Sequence, residues 1–475
     1  MKSVLVFGSF NVLHPGHLRL LRFAKERGDR LIVAVHSDRL AGSAAHINEQ
    51  LRLECIKSIG WVDEAFISDD PNTALIEKLR PDFVVKGKEH EERFNSELAE
   101  LEKYGGALLF SSGETIFSSV DLIRKEFKGL EVDSISLPQD YLVRHKITKE
   151  RLIELLLQFS RLKVCVVGDL IIDEYITCEP LGMSHEDPTI VVTPIDSTRF
   201  VGGAGIVAAH AAGLGASVMF FSVTGNDESR DFALAGLNEA GVLAKLLLDD
   251  GRPTTLKQRY RSKGKSLLRV SHLHQGAISN LLQSQLLTEL QPGIDSADLL
   301  VFSDFNYGCL PQELVKQIIA KAKGQGLLLA ADSQSSSQVG DISRFKGMDL
   351  ITPTEREARI STRNREDGLV VLAEKLRQLA SAQNLLLKLG EEGLLIHATA
   401  NSGNSWLTDR VNALNSSPKD VAGAGDSLLI TSAMAMACGA TIWEAACLGS
   451  LAAAVQVGRV GNTPLSTEEL LERLR

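Results

Sequence analysis

The chain is poor in the features that mark special environments. Its six cysteines (Cys55, Cys165, Cys178, Cys309, Cys438 and Cys447) are scattered without CxxC spacing. That excludes a disulfide framework and a zinc knuckle, and leaves reduced core thiols of a cytosolic protein. Positive charge is not in excess: a formal net charge of −9 excludes a general nucleic-acid binder. Long apolar runs are missing too. The longest uncharged stretch, "SLLITSAMAMACGATIW" from Ser427, is about one turn short of a membrane span and carries Ser, Thr and Gly, so it reads as a buried helix. At the start, Gly8, Ser9, Asn11 and His14 interrupt the apolar residues too soon for a signal peptide. Localisation is therefore expected to be cytoplasmic, with no membrane partner.

What is present is an ordinary globular composition, 44% hydrophobic and 23% charged, which rules out a disordered chain. At 475 residues it is too long for one core, and two or three domains are expected. Short β-rich runs at 4–7, 31–35, 64–67, 82–85 and 107–110 alternate with helical patterns such as "HLRLLRFAKERG", where Leu18, Leu21 and Ala24 share a face. Fully apolar strands between amphipathic helices predict a parallel sheet covered on both sides. The rhythm breaks over 128–146. Thr148 then reads as the N-cap of a helix that opens a second α/β unit. Strand candidates recur there at 218–221, 246–248, 299–302, 327–330 and 385–389. The runs 189–195 and 255–262 alternate like exposed strands of a small lid. The expected boundaries are 1–130, a linker at 131–147, and 148–475.

The first chemical motif is "GSFNVLHPGH", between an apolar strand and a helix whose first residue is Pro15. Ligands of parallel sheets bind at this end of the strands, and a helix start attracts phosphate. His14 and His17 add donors one turn apart, and Gly16 leaves room for a phosphate. The pair suits the charge that develops when a nucleoside triphosphate is attacked at its α-phosphorus. The alternatives are two incidental turn histidines, or a zinc pair for which no third ligand is evident.

The second motif is "DVAGAGDSLL", 420–429. Small residues let the amides of Gly423, Ala424 and Gly425 converge as an anion nest at the start of an apolar helix. Asp426 follows where it can take a proton from an attacking hydroxyl, the pairing that phosphoryl transfer requires.

The N-terminal stretches "GSFNVLHPGH", "GDRLIVAVHSD", "LRLECIKSIGWVDEAF", "LIEKLRPDFVVKGKEH" and "FSSVDLIRK" resemble, in order, the HxGH nucleotidyltransferase superfamily. That group holds the cytidylyltransferases and the adenylyltransferase half of the bifunctional ADP-heptose synthases. The resemblance implies a Rossmann-like domain in which His14 and His17 hold the triphosphate. It also puts Gly8, Ser9, Phe10, Arg52, Lys86 and Gly87 near the nucleotide, with Ser118 and Ser119 at a helix that closes on its phosphates. Three positions depart from the family: Asn11 replaces an Asp, "LAGSAAHI" replaces a basic loop, and Val120 ends a Ser-Thr-Thr.

The stretches "GDLIIDEY", "VGGAGIVAAHAAGLGA", "VFSDFNYG", "DLITPTEREA" and "LKLGEEG", with the GAGD motif, resemble the ribokinase-like sugar kinases over about 161–463. This implies that Asp169, Asp173 and Asp304 meet the sugar and that Gly202 and Gly203 let it approach the backbone. Glu357 would place Mg2+ through water, and Lys388 with Gly390 would line the nucleotide site. "SHEDPTIVV" and "RPTTLKQRYRS" are similar to segments of heptose 7-phosphate kinases, adding Glu186, Lys257 and Arg259 as substrate residues. Ile206, Thr354 and Tyr307 replace an Asn, an Asn and a Lys of the family.

Together the resemblances imply a bifunctional ADP-heptose synthase with its two domains in reversed order. It would phosphorylate heptose 7-phosphate at C1 with MgATP and convert heptose 1-phosphate to ADP-heptose with ATP (CTP being the other possible nucleotide), releasing pyrophosphate. The alternatives are the same activities on another sugar, or a sugar kinase with a degenerate nucleotide-binding N-terminal domain. Sugar phosphates and nucleoside triphosphates are the expected small-molecule partners, and a homodimer the expected assembly.

Overall fold

A computed structural model describes the chain except residues 1, 12, 14, 42–46, 88–94, 112–134, 185, 188, 263–264, 336–338 and 400–405. The chain divides into two compact units, Met1–Val132 with Arg365–Leu372, and Asp133–Asn364 with Ala373–Arg475.

The first unit is a five-stranded parallel sheet in the order β3-β2-β1-β4-β5. Its strands are β1 (Ser3–Gly8), β2 (Arg30–His36), β3 (Glu64–Ser68), β4 (Phe83–Gly87) and β5 (Ala107–Ser111). Strand side chains alternate between two cores, which is why these strands read as unbroken apolar runs. Val4, Val6, Val33 and Val35 pack with Leu21 and Ala24 on one face. Leu5, Ile32, Ala34 and Val84 pack with Ile76 and Leu101 on the other. The helix Pro15–Lys25 buries Leu20, Leu21 and Ala24, whereas Leu18 is 38% exposed. The inward stripe is therefore 17, 20, 21 and 24, the i, i+3, i+4, i+7 spacing of one helix face. It places His17, not Leu18, toward the sheet.

The second unit carries a nine-stranded sheet in the order β10-β9-β6-β13-β14-β15-β16-β17-β18. These strands are β6 (Lys163–Gly168), β9 (Ser217–Thr224), β10 (Leu243–Leu248), β13 (Leu299–Asp304), β14 (Leu328–Ser333), β15 (Leu350–Ile351), β16 (Asn384–Lys388), β17 (Leu394–Thr399) and β18 (Trp406–Val411). The sheet is parallel as far as β16, and β17 and β18 close it antiparallel. The lid is a four-stranded sheet, β12-β11-β7-β8, of β7 (Leu170–Met183), β8 (Ile190–Gly203), β11 (Thr255–Ser262) and β12 (Lys265–His272). Its outer half is exposed, including Leu181, Met183, Ile190, Ile195 and Leu268.

Two local readings change. The uncharged run from Ser427 is not one helix: Gly439, at φ +80°, ends Ala424–Ala437, and Thr441 caps a second helix, Ile442–Val457, in a capping box with Glu444. Within 131–147, Gln139–His145 is a helix with Tyr141 and Leu142 buried. Tyr141 donates its hydroxyl to Trp443 O at 2.8 Å, and Arg144 and His145 meet Asp409 at 2.8 and 2.6 Å. Thr148 caps the next helix by accepting from Arg151 N. Among the described residues no helix is long and apolar enough to cross a membrane.

Candidate functional site

In the first unit, β1 ends at Gly8, and the turn that follows forces Phe10 into the left-handed region at φ +48°. Phe10 is buried, and a side chain at position 8 would meet its ring at 3.3 Å, so Gly8 is needed for the turn to close. The same ring lies edge-on to His17, 5.2 Å between centroids, in the first turn of Pro15–Lys25. His14, Ser118 and Ser119 lie outside the described residues, as does most of "LAGSAAHI".

The two cations expected near a nucleotide are engaged by the protein itself. Arg52 is 1% exposed. Its guanidinium donates to Ile47 O (2.7 Å), Ser9 O (2.6 Å), His36 O (2.9 Å) and Asp38 Oδ1 (2.5 Å). It thus clamps the ends of β1 and β2 together. Lys86, at the end of β4 beside Gly87, donates to Asn95 Oδ1 at 2.8 Å and to Glu97 Oε1 at 3.0 Å. Glu97 also accepts from Asn72, whose Oδ1 meets His36 Nε2 at 2.9 Å. Burial lowers the pKa of His36, so its ring favours the neutral form. This Lys86–Glu97–Asn72–His36 chain was not legible in the sequence, because its members come from four separate elements.

In the second unit the carboxyl ends of β14 and β16 converge on the start of Ala424–Ala437. Gly423 caps that helix at φ +76°, and Asp426 sits buried in its first turn. Gln334, just past β14, donates its amide to Asp426 Oδ1 at 3.0 Å. Lys388, at the end of β16, donates to Asp332 Oδ2 at 2.8 Å, and a side chain on Gly425 would meet its Nζ at 3.2 Å. Burial, then the Asp332 charge, pushes the Asp426 carboxyl up to about 7 against the pull of Lys388. Burial likewise pushes Asp332 up to about 6. Glu357 is spent on the backbone: its oxygens accept from Ser335 N (2.9 Å) and Thr354 N (2.8 Å). It thereby fixes the loop that carries Gln334, while Thr354 completes the capping box. Gly390, at φ +63°, opens the turn after β16.

The lid brings a second polar cluster to this end of the sheet. Asp173 on β7 is buried. It takes Arg259 Nη2 at 3.3 Å on one oxygen and Asn462 Nδ2 at 3.2 Å on the other. Burial raises its pKa, and Arg259 and Lys257 oppose the rise. A Cβ on Gly202 would sit 2.4 Å from Asp173 Oδ2. One on Gly203, at φ +58°, would sit 2.4 Å from Asp169 O. Lys257 Nζ stands 5.2 and 5.1 Å from the ring centroids of Phe305 and Tyr307, so the tyrosine that replaces the family's lysine forms a platform under a lysine from the lid.

Of three further expected substrate residues, two have partners within the protein and one lies far along the lid. Asp169 accepts from the backbone N–H groups of Phe305, Tyr307 and Cys309, at 2.8, 3.3 and 3.1 Å, and so shapes that loop. Asp304 is held by Arg344 (2.8 Å) and Ser333 Oγ (2.7 Å). Glu186 is exposed in the β7–β8 connection, about 30 Å of strand beyond Asp173. Ile206 is buried in the helix Ala204–Gly213, among small apolar side chains and the buried His210.

Asp332, Glu357 and Asp426 outnumber Lys388, an acidic excess that would suit a hydrated divalent cation. No cluster of three His, Cys, Asp or Glu able to ligate a metal directly occurs among the described residues.

Residues 161–469 match the family described as pfkB family carbohydrate kinase. The chain belongs to the pfkB carbohydrate kinases. Ahead of its pfkB region, residues 5–150 match the cytidylyltransferase-like family. The bifunctional protein HldE of Desulfatibacillum aliphaticivorans is 32% identical over 321 residues, 67% of this chain and 64% of that protein. HldE of Nitrobacter hamburgensis is 32% identical over 323 residues, 66% and 64% of the two chains. The pfkB-family chain thus spans somewhat under two thirds of these curated relatives. Among solved structures, phosphofructokinase-2 from Escherichia coli in complex with substrates and products has a TM-score of 0.54 at 18% identity, over 66% of this chain and 97% of that one. Ribokinase from Arabidopsis thaliana complexed with ribose and ATP has a TM-score of 0.52 at 17% identity, over 66% and 99%. The expected fold class, a cytidylyltransferase-like α/β unit followed by a ribokinase-like one, is borne out.

Proposed function

We propose that the chain is a bifunctional enzyme that phosphorylates heptose 7-phosphate at C1 with ATP and converts heptose 1-phosphate to ADP-heptose with release of pyrophosphate. The observation that carries the kinase half is the meeting, at one end of the sheet, of Asp426, the Gly423–Gly425 turn and the lid carboxylate Asp173. The heptose rests on the similarity to HldE proteins and on the basic lid strand holding Lys257 and Arg259.

In the kinase reaction Asp173 accepts hydrogen bonds from sugar hydroxyls, and Lys257 faces the sugar's own phosphate. Asp426 takes the proton of the C1 hydroxyl as that oxygen bonds to the γ-phosphorus and the bond to the ADP oxygen breaks. Backbone N–H groups of the Gly423–Gly425 turn take up the charge on the transferred group. Lys388, anchored by Asp332, lies on the nucleotide side. Mg2+, placed through water near Glu357, would neutralise the triphosphate. In the transferase half, the sugar 1-phosphate oxygen attacks the α-phosphorus and pyrophosphate leaves, with His14 and His17 holding the developing charge.

A second reading, a sugar kinase with an N-terminal domain that binds nucleotide without turning it over, is favoured by the engagement of Arg52 and Lys86 within the protein. Pyrophosphate release from heptose 1-phosphate with ATP or CTP, run beside ADP release from heptose 7-phosphate, separates the two. Release with one nucleotide that collapses in His17→Ala supports the transferase, whereas ADP release alone leaves the second reading. The exposed apolar side chains of the outer lid support a homodimer, and a cytoplasmic location suits both substrates.

A further inference from the structure

We infer that Asn462 is a positioning residue for the acceptor sugar, tying the carboxylate that faces the sugar to the turn that faces the transferred phosphoryl group. This rests on the kinase reading but not on the choice of heptose. Asn462 is 7% exposed, and its Nδ2 donates to Asp173 Oδ2 at 3.2 Å. Its Oδ1 is buried, has no hydrogen-bond partner among the described residues, and occupies the space that a side chain on Gly423 would need: a Cβ there would meet it at 2.6 Å. The amide therefore fills the gap between the lid and the helix-start turn, touching both.

The short segment carrying Asn462 is fixed from the same two sides. Gly461, at φ +78°, lies under Phe200 of β8, where any side chain would meet the ring at 2.4 Å. Phe200 packs edge-on to Tyr175 of β7, 5.2 Å between centroids. Tyr175 donates its hydroxyl to Asp420 Oδ2 at 2.9 Å, and Gly461 N donates to the same oxygen at 3.2 Å. Asp420 Oδ1 accepts from Ala422 N at 3.1 Å. From below, Gln456 donates to Gly461 O at 3.0 Å and Ala422 O at 3.3 Å. Lid, segment 459–462 and anion turn are thus one connected body.

A neutral donor fits this position. Asp173 already faces Arg259 and Lys257 from β11, with Tyr175, Asp420 and Asp426 also within its field. A third cation would draw the carboxylate away from the sugar, and a further anion would repel it. An amide fixes the rotamer of Asp173 and leaves its remaining lone pairs for hydroxyl groups. Removing it strips a buried carboxylate oxygen of a donor.

The test compares full-length wild type, Asn462→Ala and Asn462→Asp on a panel of hexoses, heptoses and their phosphates, following ADP release across pH 5.5 to 8.5. For the sugar the wild type turns over, Asn462→Ala is expected to raise the sugar KM about tenfold, equivalent to about 1.4 kcal/mol, with the ATP KM unchanged. Asn462→Asp sets two carboxyls at hydrogen-bond distance, and they hold the bond only when sharing a proton. Its sugar KM is expected to exceed that of the Ala variant at high pH and to fall below it on acidification. Asn462 as a merely structural residue would instead give an unchanged sugar KM, or parallel rises in both KM values with a lower melting temperature. An Asp variant that tracks the Ala variant at every pH also overturns the inference. Turnover of another sugar phosphate overturns only the heptose assignment, and turnover of no sugar overturns both proposals.

Discussion

Gln334 donates its side-chain amide to Asp426 at 3.0 Å, although the two stand on different elements 92 residues apart. The carboxylate proposed as the base is therefore oriented from outside its own motif. Glu357 holds Gln334 in turn through Ser335 N. Each of these links has a measurable consequence.

If Glu357 acts on Asp426 through the Gln334 loop, Glu357→Gln should spare most of the fold and cost catalysis. The expected stability loss is about 1 kcal/mol, the worth of a helix cap, read by urea unfolding. The expected fall in kcat is at least tenfold, with the sugar KM unchanged.

The pH profile follows from the raised carboxyl of Asp426. Its pKa is pushed up to about 7, and the base must be ionised to accept a proton, so activity rises as pH rises through that value. The kinase kcat/KM should level off above about pH 7.5 and fall roughly tenfold per unit below about pH 6.5. A flat profile between pH 5.5 and 8 would remove Asp426 as the base.

Gly202 and Gly203 separate two effects. A methyl group at position 202 meets Asp173 Oδ2, so Gly202→Ala should raise the sugar KM while the protein stays folded. Gly203 has a left-handed backbone and a carbonyl where the methyl group would go, so Gly203→Ala should lower the melting temperature by several degrees. Sugar titration and thermal denaturation distinguish the two.

Arg52 belongs to the first unit's stability. Arg52→Met leaves three carbonyls and Asp38 without their donor. It should destabilise that unit by about 2–3 kcal/mol, measured by urea unfolding, whereas an arginine that served only the nucleotide would leave stability unchanged.

Much of this architecture could be read from the chain because its cause is local. The runs around β1, β2 and β13 are apolar on both faces since both faces are covered. The exposed strands of the lid alternate, and GAGD marks its own turn. What escaped is long-range. Arg52 reads equally well as a nucleotide ligand or a backbone clamp, since both use the same guanidinium. Asp332 and Gln334 stand at the carboxyl end of an apolar strand, as Asp169 and Asp304 do, a position that marks them as candidates. Asn462 carries no sequence signal at all, because its partner lies 289 residues away. The resemblance to the sugar kinases implies that Asp169 and Asp304 meet the sugar, while their bonds to backbone N–H groups, Arg344 and Ser333 depend on loops that no local pattern announces.

The most direct test of the account is ADP release from heptose 7-phosphate and ATP by Asp426→Asn beside the wild type. The substitution keeps a group able to pair with Gln334 and removes the base. The wild type should turn over and the variant should show a kcat at least a thousandfold lower, with both KM values and the melting temperature little changed. A variant that retains more than a tenth of wild-type kcat would contradict it.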